Sequence, residues 1–241
     1  MNFNFFPSAD ITWWDPTNPE DKRSFIYQKQ LNWVNNNLKV DLKGEALDIG
    51  SGRGRYTRLG LNKGYDVTSI DVNPKMLKQM EKIGLKNKKL VMGGENLKFK
   101  KNSFDIVFAM EVIMHIKDIE KFLSEVYRVL RPGGIAFLNI TNRQSLYPLW
   151  VTKINPVMSS DQKKYPRIQY KPQEFETYIK NAKFNLSSQS GFGVVPPLSI
   201  KHRWKGTILP KWIAIILSAA LDPRYGYNYG FCVNYVVKKK R

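Results

Sequence analysis

One cysteine, Cys232, and two histidines, His115 and His202, are all that the chain has of either residue. A disulfide framework needs cysteine pairs, and a structural zinc site needs four soft or imidazole ligands, so neither is expected. Acids are also scarce: 20 Asp and Glu stand against 39 Lys and Arg, a formal net charge of +19 over 241 residues. Met1–Asp10 carries no basic run followed by apolar residues, so no secretory signal is expected. The most apolar stretch, Trp212–Leu221 (WIAIILSAAL), is too short to span a bilayer. Pro210-Lys211 and Asp222-Pro223 read as its limits. Its first reading is a buried helix packed on a sheet, and its second is a segment lying on a membrane surface. A globular protein, cytoplasmic or membrane-peripheral, is the expectation. Hydrophobic residues at 42% and aromatics at 13% supply a sizeable core and exclude full disorder.

The charge points to anionic partners: RNA, anionic lipid headgroups or phosphorylated small molecules. One basic set is Lys201, Arg203, Lys205, Lys211 and Arg224, in a region whose only acid after Glu176 is Asp222. Charge names a partner class and no more.

Three parts are expected. Residues 1–40 form an aromatic arm and a cap helix, which starts near Asn18-Pro19 and turns Phe25, Leu31, Val34 and Leu38 to one side. Residues 41–142 alternate short apolar strands with helices, the pattern of a parallel sheet with right-handed crossovers. Here Arg131-Pro132-Gly133-Gly134 reads as the stop of a helix and a turn before strand Ile135–Ile140. Residues 143–241 continue the same domain, with a long connection at about 191–228 as a substrate lid or docking element. The fold class is α/β, doubly wound.

Leu47-Asp48-Ile49-Gly50-Ser51-Gly52-Arg53-Gly54 directly follows a strand and precedes a helix. Glycines there let the chain turn sharply and let a ligand approach the backbone. Asp71, about 20 residues on at the end of the next strand, has the position from which a carboxylate accepts hydrogen bonds from ribose hydroxyls. Together they describe a site for a nucleoside-bearing cofactor.

With these blocks, and with Ser69–Leu77 (SIDVNPKML), Ser103–Ile116 (SFDIVFAMEVIMHI) and Val126–Leu138 (VYRVLRPGGIAFL) in order, the chain resembles the class I S-adenosylmethionine (SAM)-dependent methyltransferases of the broad small-molecule type. The resemblance covers roughly residues 42–142. It implies a Rossmann-like, mostly parallel seven-stranded sheet with an antiparallel closing strand and helices on both faces. It implies SAM as cofactor and S-adenosyl-L-homocysteine as product. Asp48, Gly50 and Gly52 would line its methionyl part, Asp71 its ribose and Val72 its adenine, with Met110 beside the sulfonium and Ser51 a further cofactor contact. Gly93 stands where the family often has an adenine-binding Asp, and Glu95 or backbone groups are the expected substitutes.

The acceptor is less legible. His115, after the fourth strand, is the candidate general base. Trp14, Tyr27, Asn142, Arg143, Tyr147 and Arg203 are candidate acceptor contacts, and no metal is expected. The leading expectation is methyl transfer to a small-molecule or lipid- or glycan-linked acceptor. The alternatives are an RNA (tRNA-type) methyltransferase using the basic surface and a SAM-binding protein without turnover.

Overall fold

The computed structural model describes residues 24–38, 44–146, 167–194 and 211–241. Its elements are α1 (Ser24–Asn37), β1 (Glu45–Ile49), α2 (Arg55–Asn62), β2 (Asp66–Asp71), α3 (Pro74–Lys82), β3 (Lys88–Val91), β4 (Phe104–Ala109), α4 (Ile119–Val129), β5 (Leu130–Thr141), α5 (Pro172–Asn181), β6 (Phe184–Phe192), α6 (Lys211–Tyr229) and β7 (Cys232–Lys239). A 3-10 turn, Ile113–His115, lies between β4 and α4.

The strands make one sheet in the order β3-β2-β1-β4-β5-β7-β6. The first five pair in parallel, and β7 runs antiparallel between β5 and β6. This is the doubly wound sheet with an antiparallel closing strand. Its order reverses at β1, which has β2 on one side and β4 on the other, so a crevice opens above the carboxyl ends of these strands. The strands β1 and β4 are buried on both faces, which is why EALDI and FDIVFA carry so little polarity. One core layer joins Leu47, Ile49 and Val107 to Phe122, Leu123, Val126 and Phe175 of α4 and α5. The other joins Ala46, Val67, Ile106 and Phe108 to Val34 of α1 and to Leu38 just after it.

Three details differ from the sequence reading. In α1 the buried side is Ile26, Tyr27, Gln30 and Val34, continued by Leu38 just past its end, with Leu31 only half-buried. The segment Arg131–Gly134 is part of β5, not a turn before it. Helix α4 ends at Val129, Leu130 already pairs with Phe104, and the register shifts before Ile106 meets Ile135. Gly133 (φ 81°) absorbs the bulge, and a side chain on Gly134 would strike the carbonyls of Arg131 and Asp105.

The third difference is larger. Helix α6 does not stop at Asp222-Pro223 but runs on to Tyr229, and it is not a buried apolar helix. Its buried positions are Ser218, Asp222 and Gly226, four residues apart, while Trp212 and Ile216 are 63% and 57% exposed. Asp222 explains both facts. Its Oδ1 accepts the backbone N–H groups of Gly193 (3.1 Å) and Val194 (3.0 Å) at the end of β6. Its Oδ2 accepts Ser218 Oγ (2.5 Å) and Lys29 Nζ (3.0 Å). Pro223 removes one helical hydrogen bond, but this clamp fixes the turns on either side of it. One turn later the helix backbone rests directly on the strand, where a Cβ on Gly191 would fall 1.9 Å from the Gly226 carbonyl oxygen.

Candidate donor and acceptor site

Between β1 and α2 the chain turns through three left-handed glycines, Gly50 (φ 67°), Gly52 (φ 53°) and Gly54 (φ 79°). Gly50 and Ser51 both direct their N–H groups at the Ile70 carbonyl (2.8 and 3.0 Å), which draws the loop onto the end of β2. There Asp71 completes the junction. Its Oδ2 accepts Gly52 N–H at 2.9 Å and its Oδ1 accepts Asn73 N–H at 2.8 Å. Burial raises the Asp71 carboxyl above its ordinary range, and these backbone hydrogen bonds oppose the rise. Each oxygen keeps further acceptor capacity for a ligand hydroxyl.

Asp48 lies beneath this surface. Its Oδ2 accepts the Thr57 hydroxyl at 2.6 Å, Thr57 also contacts Ser69 Oγ at 2.7 Å, and Asn87 donates to Ser69 at 2.8 Å. Burial pushes the Asp48 carboxyl up to about 7, against the Thr57 hydrogen bonds that lower it. Next to the loop the floor is open. A Cβ on Gly52 would meet nothing within 4 Å, Val72 is 41% exposed, and a Cβ on Gly93 would meet only Val72, at an ordinary contact distance of 3.6 Å. Gly94, by contrast, is pressed against Phe122 and Ile49. Glu95 sits apart at the start of α4, where its Oε1 accepts Asp118 N–H at 2.9 Å.

After β4, Met110 is buried and Glu111 takes a left-handed conformation (φ 60°). Glu111 Oε1 accepts Gln30 Nε2 of α1 at 3.0 Å, and the same amide reaches Cys232 Sγ at 3.1 Å. Gln30 escaped the sequence reading, although a polar residue four positions from both Ile26 and Val34 on a buried face was a usable signal. Val112 packs against Gly50 so closely that a Cβ there would lie 2.5 Å from it, so the two loops touch. His115 closes the 3-10 turn. Burial, and then the charge of Arg167, push its imidazole down to about 4, so it is neutral at pH 7.

The acceptor candidates scatter. Tyr27 is buried on α1 beneath the Arg55 guanidinium, 4.4 Å from the ring centroid. Asn142, expected to meet an acceptor, instead donates to the carbonyls of Asn228 and Gly230 (3.0 Å each) and fixes the end of α6. Arg143 instead reaches outward to Glu174 of α5 at 2.8 Å. Trp14, Tyr147 and Arg203 lie outside the described residues. Among the described residues no group of three His, Cys, Asp or Glu side chains is arranged to hold a metal ion, and no helix is long and apolar enough to cross a membrane.

Residues 47–138 match the model of a family described as "Methyltransferase domain". A ubiquinone biosynthesis O-methyltransferase of Xanthomonas oryzae pv. oryzae is 29% identical over 199 residues, which cover 77% of this chain and 81% of that one. Among solved structures, a SAM-dependent methyltransferase of Thermotoga maritima, a possible histamine N-methyltransferase, aligns with a TM-score of 0.62 at 20% identity over 91% of each chain. A Haemonchus contortus phosphoethanolamine N-methyltransferase, solved with phosphomonomethylethanolamine and S-adenosylhomocysteine, aligns with a TM-score of 0.64 at 17% identity, covering 100% of this chain and 61% of that one. The structural likenesses give the fold, and the matched domain and its relatives give the activity, that of a SAM-dependent methyltransferase.

Proposed function

We propose that the chain transfers a methyl group to an oxygen of a small-molecule acceptor, of a lipid-linked kind, held over the carboxyl ends of β4 and β5. The observation that carries the donor half is the Asp71 carboxylate, pinned between the N–H groups of Gly52 and Asn73 beside an open floor. The residues fit SAM. Asp71 would hold the ribose, exposed Val72 and the space over Gly93 would receive the adenine, and Gly50–Gly52 would border the methionyl chain. Asp48 supports this loop through Thr57 and Ser69 from below. Glu95, taken up at the start of α4, leaves the adenine edge to backbone groups.

When bound, SAM supplies a methyl group on a positively charged sulfur, already activated for displacement. What remains for the protein is alignment and exclusion of water. Glu111 and His115, on the loop that touches Gly50, stand on the acceptor side. An alcohol or phenol must lose its proton. His115 is neutral at pH 7 and has a lone pair, but an imidazole lowered to about 4 is a weak base, so its base role requires the bound acceptor to raise it. Oxygen is the proposed acceptor atom because the sequence relatives are named for O-methylation in ubiquinone biosynthesis.

Titration calorimetry with SAM tests the donor half. Asp71→Ala is expected to weaken binding by at least about tenfold, which corresponds to about 1.4 kcal/mol, and unchanged affinity would remove Asp71 from the site. Transfer of methyl label from SAM into the solvent-extractable fraction of a cell extract tests the acceptor half. Label confined to RNA would replace this reading with the basic-surface one.

A further inference from the structure

Helix α6 is inverted with respect to water. Its inward stripe, Ser218, Asp222 and Gly226, is polar or small, and its outward side over the first half is apolar. At 3.6 residues per turn, Trp212, Ile216, Ala219 and Ala220 share the face opposite Ser218. Ile215 and Leu217, at the margins, are exposed as well. Single apolar side chains on a surface need no explanation, but a contiguous stripe on the outer side of a helix does.

Charge selects what covers it. Residues 177–241 contain one acid, Asp222, and it is turned inward onto Lys29. The apolar segment therefore has no acid of its own apart from the inward-turned Asp222. Lys211 opens the helix and exposed Arg224 follows the stripe, in a chain of net charge +19. A second copy would set like charges against one another, whereas an anionic bilayer offers opposite charge at its surface and an apolar layer beneath. Tryptophan favours that boundary, and arginine can bury its stem while its head stays among phosphates. The nine-residue stripe is about 13 Å long, under half the ~30 Å hydrocarbon core, so it lies along a bilayer and does not cross one.

We propose that α6 is an interfacial anchor, laying residues 212–220 on an anionic membrane surface. The Asp222 clamp, which joins α6 to α1 and to β6, makes the anchor rigid with the domain. The inference does not depend on the acceptor's identity.

Co-sedimentation of the full chain with phosphatidylcholine vesicles, with and without phosphatidylglycerol, tests it. The wild type is expected to bind only the anionic vesicles, with binding weakened by salt. Ile216→Glu is expected to lower the partition coefficient about tenfold or more, and Trp212→Ala to lower it less. Both side chains point outward, and unchanged SAM affinity would show that the variants are folded. Failure of the wild type to sediment overturns the proposal, as does undiminished binding by Ile216→Glu. A dimer in solution that Ile216→Glu dissociates would overturn it too, and would give the face to a second copy.

Discussion

Helices α4 and α6 belong to the same domain and bury opposite kinds of residue. The inward side of α4 is Ile119, Phe122, Leu123, Val126 and Val129, packed on the sheet. The inward side of α6 is Ser218, Asp222 and Gly226, held by a carboxylate clamp and by backbone-to-backbone contact with β6. The first helix is placed by the removal of apolar surface from water, the second by hydrogen bonds and close fit. Hydrophobic periodicity therefore locates α4 from sequence alone, while the same logic applied to α6 turns it by half a revolution.

Substitutions on the two helices test that contrast directly. Phe122→Ala should leave a cavity in the main core and cost about 3–5 kcal/mol, read by chemical denaturation. Gly226→Ala would push a methyl group into the backbone of Gly191, which cannot yield as a side chain would, and should cost about 3 kcal/mol. A small effect there would mean that α6 is not seated on β6.

The two buried aspartates sharpen the comparison further. Asp222 meets a lysine and two N–H groups, whereas Asp48 rests on a hydroxyl and is raised from 3.8 to about 7. Between those pH values the folded chain holds a proton that the unfolded chain has lost. Stability from this group therefore falls as pH rises through the window, and the penalty is complete above about 7. Asp48→Asn keeps an oxygen for Thr57 and removes the charge. It should raise the melting temperature at pH 8, by roughly 2–4 °C for each kcal/mol relieved, and give no gain at pH 4. Smallest of all, Ile216→Ala should change stability by less than about 0.5 kcal/mol. A cost like that of Phe122→Ala would show the outer face of α6 to be covered in the free protein.

The legible part of the molecule was the part whose positions follow from burial and backbone geometry. Strands β1, β2 and β4, the glycine turn and Asp71 were all readable, because a parallel strand buried on both faces and a left-handed turn each demand particular residues. The acceptor side was not. Asn142 and Arg143 have the chemistry to bind a ligand, but which of their neighbours they meet depends on α5 and α6, far away in sequence. Gln30 reaches Glu111 across 81 residues, and no local pattern announces such a pair. Pro132-Gly133-Gly134 carried every mark of a turn, and only the pairing of β5 with β4 made it a bulge.

The sheet order also has a bearing on how the protein is made. Strand β7 lies inside the sheet, between β5 and β6, although it is synthesised after both. On the ribosome the edge of β5 stays open, and β6 has no partner strand, until Cys232–Lys239 emerges. A nascent chain shorn of those residues would lose an interior strand and leave an unpaired edge free to join another chain. The strands of the donor half all precede β7 in the chain, and the sheet closes only with β7.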